Sequence, residues 1–321
     1  MNYSLRHAKN IERKMMGEAL TRLSPLAPLA KYRYVGFGSE FFNDFSLYHQ
    51  KLGINDMVSI ERDETRIERC RFNQPYRCIK VIKGDSAQVL PQLDWKSRTI
   101  VWLDYVDKLG KSIVEDMRFV ASRMQSGSVG IWTVNAHPWG GSVDEETQEK
   151  VKASDWPKIR LSKLKNLFGN ARSFQGLNGT ELSNWGLAKL FHEVITDEIQ
   201  RALNDRNAAS EEKDRLRFRQ YFHFRYADGQ RMLTVGGFFL NDADAGKLRD
   251  DAFSDLEFIR TGKESYELNP PTLTGREVRF LNQLLPPDGT DLPSIKWLEA
   301  DETDSFKKLY RYYPVFAESE L

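Results

Sequence analysis

The chain of 321 residues is 40% hydrophobic, 29% charged and 12% aromatic, which excludes a disordered polymer and supplies enough apolar side chain for a sizeable core. Its 47 Lys and Arg against 46 Asp and Glu leave a formal net charge of +1, so no global field recruits a polyanion or an anionic membrane. A mean hydropathy of −0.57, with no uninterrupted apolar run near about 18 residues, argues against a membrane-spanning helix.

The N-terminal stretch carries charges where a signal peptide needs its apolar segment, so a cytoplasmic protein is expected. Ile11, Met15, Ala19, Leu20 and Leu23 recur at helical steps, and Pro25 and Pro28 end the helix. Short apolar runs then alternate with longer periodic ones, the pattern of strand and crossover helix in a parallel sheet. The predicted strands are Tyr32–Phe37, Met57–Ile60, Cys78–Ile82, Thr99–Leu103 and Val129–Val134, with helices at Phe41–Leu52, Thr65–Phe72, Ser86–Leu93 and Lys111–Met124. Such an order winds right-handed crossovers into a layered α/β domain.

From Pro138 the pattern weakens, apart from a helical segment at Trp185–Leu203, and reads as an insertion. Two strands follow, Phe218–Tyr226 and Arg231–Leu240, joined by Ala227-Asp228-Gly229-Gln230. Asp-Gly between alternating apolar runs is a hairpin signal, because Gly takes the positive φ of a tight turn. The expected organisation is an N-terminal helical extension (1–30), a Rossmann-like cofactor-binding core (31–137), an insertion (138–215), the hairpin completing the sheet (216–241) and a C-terminal accessory region (242–321). The fold class is therefore α/β, with a doubly wound, mostly parallel seven-stranded sheet closing in an antiparallel hairpin.

The chemistry concentrates at strand ends. Tyr34-Val35-Gly36-Phe37-Gly38-Ser39 is a strand running into a glycine turn and then a helix, whose unpaired N–H groups suit a polar ligand. Glu61 closes the second strand about 20 residues further on, the spacing at which a carboxylate receives ribose hydroxyls. Gly84-Asp85-Ser86 follows the third strand and Asp104-Tyr105 the fourth, so all four segments converge at the carboxyl edge of the sheet. Each acid has a plainer use too: Glu61 as a solvated strand end, Asp85 as a helix cap, and Asp104 as a structural strand end.

In these residues the chain resembles the class I S-adenosylmethionine-dependent methyltransferases, whose seven strands end in an antiparallel hairpin. The resemblance covers roughly residues 31–135 and 216–240. It implies that Gly36, Gly38 and Ser39 flank the methionine part of S-adenosylmethionine, that Glu61 holds the ribose, and that Asp85 and Ser86 face the adenine. Asp104 would stand where cofactor meets acceptor. More narrowly, Ala8-Lys9-Asn10-Ile11-Glu12-Arg13, the glycine turn, Trp102-Leu103-Asp104-Tyr105 and Tyr310-Arg311-Tyr312-Tyr313-Pro314 resemble bacterial proteins labelled O-methyltransferases. The family's first motif has an acid two positions before the first glycine and often a third glycine; Tyr34 and Glu40 occupy those places here. Glu40 or Asp44 could supply the missing carboxylate, or either could simply complement the helix dipole. The proline–proline–aromatic motif of base-amino methylases is absent, so O-methylation is preferred.

Asp104, Tyr105 and His137 are the candidate catalytic residues, His137 lying in the loop after the fifth strand as a possible general base. No cluster with metal-ligand spacing is found, and the two cysteines, Cys70 and Cys78, are too few for a zinc site or a disulfide framework. The charges of Arg6, His7, Lys9, Glu12, Arg13 and Lys14 read as a solvated helix face, with a substrate lid as the sharper alternative. Arg215, Arg217 and Arg219 offer a local phosphate-contacting face, though charge protection of a sheet edge explains them as well. A small-molecule or protein acceptor is favoured over nucleic acid. The alternative class is a catalytically silent Rossmann-like module that senses a nucleotide or binds a partner; an NAD-dependent oxidoreductase fits less well without the third glycine.

Overall fold

The computed structural model describes residues 6–144, 146–169, 174, 176–287, 289 and 292–314. Eight strands form one sheet: β1 (Arg33–Gly36), β2 (Asp56–Glu61), β3 (Ile79–Lys83), β4 (Thr99–Lys108), β5 (Ser128–Asn135), β6 (Arg217–Asp228), β7 (Gln230–Leu240) and β8 (Tyr266–Leu268). Their order is β3-β2-β1-β4-β5-β7-β6-β8. β1 to β5 are mutually parallel, β7 runs antiparallel to both β5 and β6, and β8 adds parallel to β6. The expected α/β class, parallel sheet and closing hairpin are all present. The eighth strand, Tyr266–Leu268, lies beyond the seven expected, because three residues are too short for a periodic signal.

The helices are α1 (His7–Thr21), α2 (Asn43–Leu52), α3 (Ile67–Phe72), α4 (Ser86–Val89), α5 (Lys111–Arg123), α6 (Trp156–Phe168), α7 (Gly186–Ala208), α8 (Asp242–Lys247), α9 (Gly275–Gln283) and α10 (Ala300–Leu309). The helix expected over Ser86–Leu93 splits into α4 and a 3₁₀ turn at Leu90–Gln92, where Pro91 lacks the N–H needed to continue α4. No helix among the described residues is long and apolar enough to cross a membrane.

Because the parallel strands are buried on both faces, alternate residues feed two cores. Tyr34, Ile100 and Trp102 point into the layer made by α1, α2 and the C-terminal segments; Val35, Val101 and Leu103 point into the layer made by α5, α6 and α7. Within 138–215, α7 packs along α5 and over β6 and β7. The Tyr-rich C-terminus closes on α1: Lys14 Nζ donates to the carbonyls of Tyr312 (3.0 Å) and Tyr313 (3.4 Å), and the Tyr312 hydroxyl donates to Glu18 Oε2 at 2.5 Å.

β1 stands between β2 and β4, so successive crossovers leave it in opposite directions and open a crevice at its carboxyl end. β4 runs further than expected, to Lys108. A register shift against β5 between Asp104 and Lys108 lets residues 105–107 swing out over that crevice.

Candidate functional site

A cleft of about 210 Å³ fills the crevice. Gly38 and Ser39 after β1, Glu61 at the end of β2, Asp85 and Ser86 after β3, and Asp104 and Tyr105 on β4 all line it, as does Asp44 from α2. Each acid that sequence spacing placed at a strand end therefore reaches the same space. Phe37, Ile60 and Trp102 supply its apolar walls.

The glycine turn is shaped by internal packing. A Cβ on Gly38 would lie 2.6 Å from both the Phe42 ring and Ser59 Oγ, the same hydroxyl that accepts from the Gly38 N–H at 3.1 Å. Gly36 does not line the cleft: its missing side chain makes room for the Tyr34 hydroxyl, which a Cβ would meet at 3.0 Å. Ser39 and Phe42 both adopt left-handed backbone, with φ of 50° and 49°, which turns the chain sharply into α2.

Tyr34 folds back and donates a short hydrogen bond to Asp44 Oδ2. Burial raises the Asp44 carboxyl above the ordinary range, opposed by the Arg13 charge and by the Tyr34 hydrogen bond. Burial, reinforced by Asp44, also pushes the Tyr34 hydroxyl well above 10. Glu40 turns elsewhere, to Arg69 at 3.0 Å and Arg66 at 3.9 Å, and does not line the cleft.

Glu61 receives the Asp63 N–H on Oε1 at 2.8 Å and the Cys70 thiol on Oε2 at 3.7 Å; burial, then Glu61, pushes that thiol up to about 11. Asp85 caps α4, accepting from the Gln88 N–H at 2.8 Å on Oδ1, and also lines the cleft. Ser86 and Tyr105 both donate to Asp116 Oδ2, at 2.5 and 2.7 Å. The Tyr105 ring thus forms cleft wall, edge-on to Phe37 at 5.2 Å, while burial and then Asp116 push its hydroxyl well above 10.

His137 stands apart. It is exposed and lines a neighbouring cavity of about 470 Å³ with Lys108, Trp139 and Lys163; the two cavities share Val106 and Asp107. Arg217 and Arg219 lie near the opposite end of the sheet, where β6 pairs with Leu240 and Phe238; Arg217 is bound to Asp242 at 2.9 Å, and Arg215 just precedes β6. None of the three arginines borders the cleft.

The solvated-face expectation for α1 fails. Lys9, Glu12 and Arg13 are 3%, 0% and 7% exposed. Helical spacing shows which residues share a face, but here the charged face meets the edge of the sheet. Lys9 Nζ lies 2.9 Å from Glu12 Oε2 and 2.8 Å from Asp104 Oδ1, donates to the Tyr226 hydroxyl at 3.1 Å, and sits 4.4 Å from the Trp102 ring centroid. Glu12 also accepts from Tyr226 at 3.2 Å and from Thr234; burial raises its carboxyl, with Lys9 opposing. Arg13 lines the cleft directly. Neither Lys9 nor Arg13 carries a site signal of its own; the resemblance of Ala8–Arg13 to the O-methyltransferase-labelled proteins was the available hint.

A Rossmann-like sheet with a C-terminal hairpin, and five carboxylates lining the cleft at its switch point, define an α/β fold of the methyltransferase type. The family model described as "Putative O-methyltransferase" matches residues 1–321, and the chain belongs to that family. The description of that family agrees with the resemblance read from the sequence. No curated protein matches it. Among solved structures it is similar to the O-methyltransferase TomG from Streptomyces achromogenes in complex with SAM (13% identity, 70% of this chain and 79% of that one, TM-score 0.34). It is also similar to spermidine synthase from Thermotoga maritima (11% identity, 79% and 68%, TM-score 0.39). The similarity to a point mutant of MtNAS spans 37% of that chain and 32% of this one, at 14% identity and a TM-score of 0.26. The assignment rests on the family match.

Proposed function

We propose that the chain binds S-adenosylmethionine in the cleft and transfers its methyl group to an acceptor presented beside Asp104. The observation that carries this reading is the convergence of Asp44, Glu61, Asp85 and Asp104 on one cleft at the β1–β4 switch point. The residues fit such a cofactor on their own chemistry. Among the described residues, buried Arg13 has no hydrogen-bond partner for Nε and Nη1 at the cleft wall, and apolar surface alternates with carboxylates along it.

Glu61 receives the ribose hydroxyls, Asp85 the adenine amino group, and Phe37, Ile60 and Tyr105 the faces of the base. When bound, S-adenosylmethionine supplies an electrophilic sulfonium methyl group. Asp104 is held at Oδ1 by Lys9, which leaves Oδ2 to orient an acceptor hydroxyl and take its proton. Catalysis on this view comes mainly from alignment of acceptor and methyl group, an effect well placed in the rigid strand β4. Tyr105 acts as wall, since its hydroxyl is committed to Asp116.

The adjoining cavity containing His137 and Trp139 meets the cleft at Val106 and Asp107 and gives the acceptor a place beside it. A small-molecule or protein hydroxyl suits that space. A nucleic acid held by Arg215, Arg217 and Arg219 would lie at the far end of the sheet. A cytoplasmic, bacterial setting accompanies this reading, supported by the resemblance of the four short motifs. The test is calorimetric titration of protein freed of copurified ligand with S-adenosylmethionine and S-adenosylhomocysteine. Micromolar binding of both is expected, and binding of neither overturns the reading.

A further inference from the structure

One buried cation faces the cleft with donors left over. Arg13 is 7% exposed, and its Nε and Nη1 find no hydrogen-bond partner among the described residues. Its guanidinium carbon lies 6.0 Å from the Trp102 ring centroid, a contact that places the group beside the wall without using its N–H donors. A buried donor left without a partner costs free energy, and more when it is charged. The planar fork of an arginine matches a carboxylate in two parallel hydrogen bonds.

Asp44, 8% exposed, lines the same cleft. The charge of Arg13 acts on Asp44, yet it is the Tyr34 hydroxyl that occupies Asp44 Oδ2. The cleft wall therefore carries both a desolvated cation and a desolvated anion. A ligand bearing one charge would satisfy half of that pair, whereas the zwitterionic end of an α-amino acid satisfies both.

The position of this pair matters because Tyr34 stands where related proteins carry an acid. Tyr34 does not replace the acid; it reaches across to one that α2 provides. Building on the cofactor reading above, we propose that the amino-acid end of S-adenosylmethionine is read by a pair relocated onto two helices, with Arg13 of α1 binding its carboxylate and Asp44 of α2 its ammonium group. This makes α1 part of the cofactor site.

Three ligands separate the contributions. S-adenosylhomocysteine carries both charges, its decarboxylated analogue lacks only the carboxylate, and 5′-methylthioadenosine lacks both. The wild-type protein is expected to bind S-adenosylhomocysteine about 10- to 100-fold more tightly than the decarboxylated analogue, the range of a charge-assisted pair. Arg13→Met should abolish that preference while leaving the affinity for 5′-methylthioadenosine within about threefold, a margin under 1 kcal/mol. Asp44→Asn should weaken both amine-bearing ligands and spare 5′-methylthioadenosine. Equal wild-type affinity for all three ligands overturns the proposal while leaving the cofactor reading intact, and needs no variant to fold. A uniform loss of all three in Arg13→Met, with Arg13→Lys restoring them equally, also overturns it. Failure of the wild type to bind any of the three removes both readings.

Discussion

Lys9 Nζ lies 2.8 Å from Asp104 Oδ1, across 95 residues of sequence, and joins the first turn of α1 to the acid at the cleft end of β4. The same ammonium lies 2.9 Å from Glu12, which is fully buried. A cation shared by two carboxylates holds both in place and keeps their charges from being stranded.

Lys9→Met should therefore destabilise the protein by about 3–5 kcal/mol, the cost of leaving a buried charge unpaired. Lys9→Met combined with Glu12→Gln should recover most of that stability without recovering methyl transfer, because Asp104 still loses its anchor. Urea denaturation beside turnover checks both halves. Full activity in the double variant would show that Lys9 serves folding alone.

Tyr34→Phe removes one hydroxyl from the buried contact with Asp44. The expected loss is about 1–3 kcal/mol of stability, since Asp44 is left with an unsatisfied oxygen. Affinity for S-adenosylhomocysteine should fall several-fold, while that for 5′-methylthioadenosine stays level. Parallel melting curves and titrations decide this.

Glu61 is half-buried, and its local contacts are a loop N–H and a thiol, so Glu61→Ala should fold. Loss of two ribose hydrogen bonds to a charged acceptor predicts roughly 100-fold weaker cofactor binding. An unchanged dissociation constant would place the ribose elsewhere.

Far from the cleft, His192 of α7 and His223 of β6 stack at 4.0 Å with an interplanar angle of 4°. Burial lowers both imidazoles, and the neighbouring His192 helps bring His223 down to about 4. Both are therefore neutral in the folded protein at pH 7. Unfolded histidines titrate near about 6.5, so as pH falls below that the unfolded chain takes up protons that the fold refuses. Stability should decline progressively between about pH 6.5 and 4, by roughly 3 kcal/mol for His223. His223→Phe should flatten that decline in melting temperature measured across this window.

The C-terminal clasp makes the last prediction. Lys14→Met with Tyr312→Phe removes the bonds that hold Tyr312 and Tyr313 to α1. Amide exchange within residues 7–21 should accelerate at least about tenfold, a loss of about 1.4 kcal/mol of local stability. Because Arg13 rides on that helix, S-adenosylhomocysteine affinity should fall in step. Unchanged exchange would mean that the apolar face of α1 suffices.

The sequence by itself determined the alternation of strands and helices, the Asp-Gly hairpin and the acids at three strand ends. These are local signals: an apolar period, a turn residue and a spacing each lie within a few residues of one another. That Glu61, Asp85 and Asp104 would converge followed from the rule that parallel strands deliver their carboxyl ends to one edge. The tertiary structure alone decided which charges are buried. Lys9, Glu12 and Arg13 carry the same helical spacing they would have on a solvated face, and the partners of Lys9 and Glu12, namely Asp104, Tyr226 and Thr234, come from β4, β6 and β7. Glu40 and Asp44 were equivalent as acids near the start of one helix; the reach of the Tyr34 hydroxyl and the exposed arginines at α3 sent one into the cleft and the other away. Burial and long-range pairing depend on where distant segments meet, and no short stretch of sequence encodes that meeting.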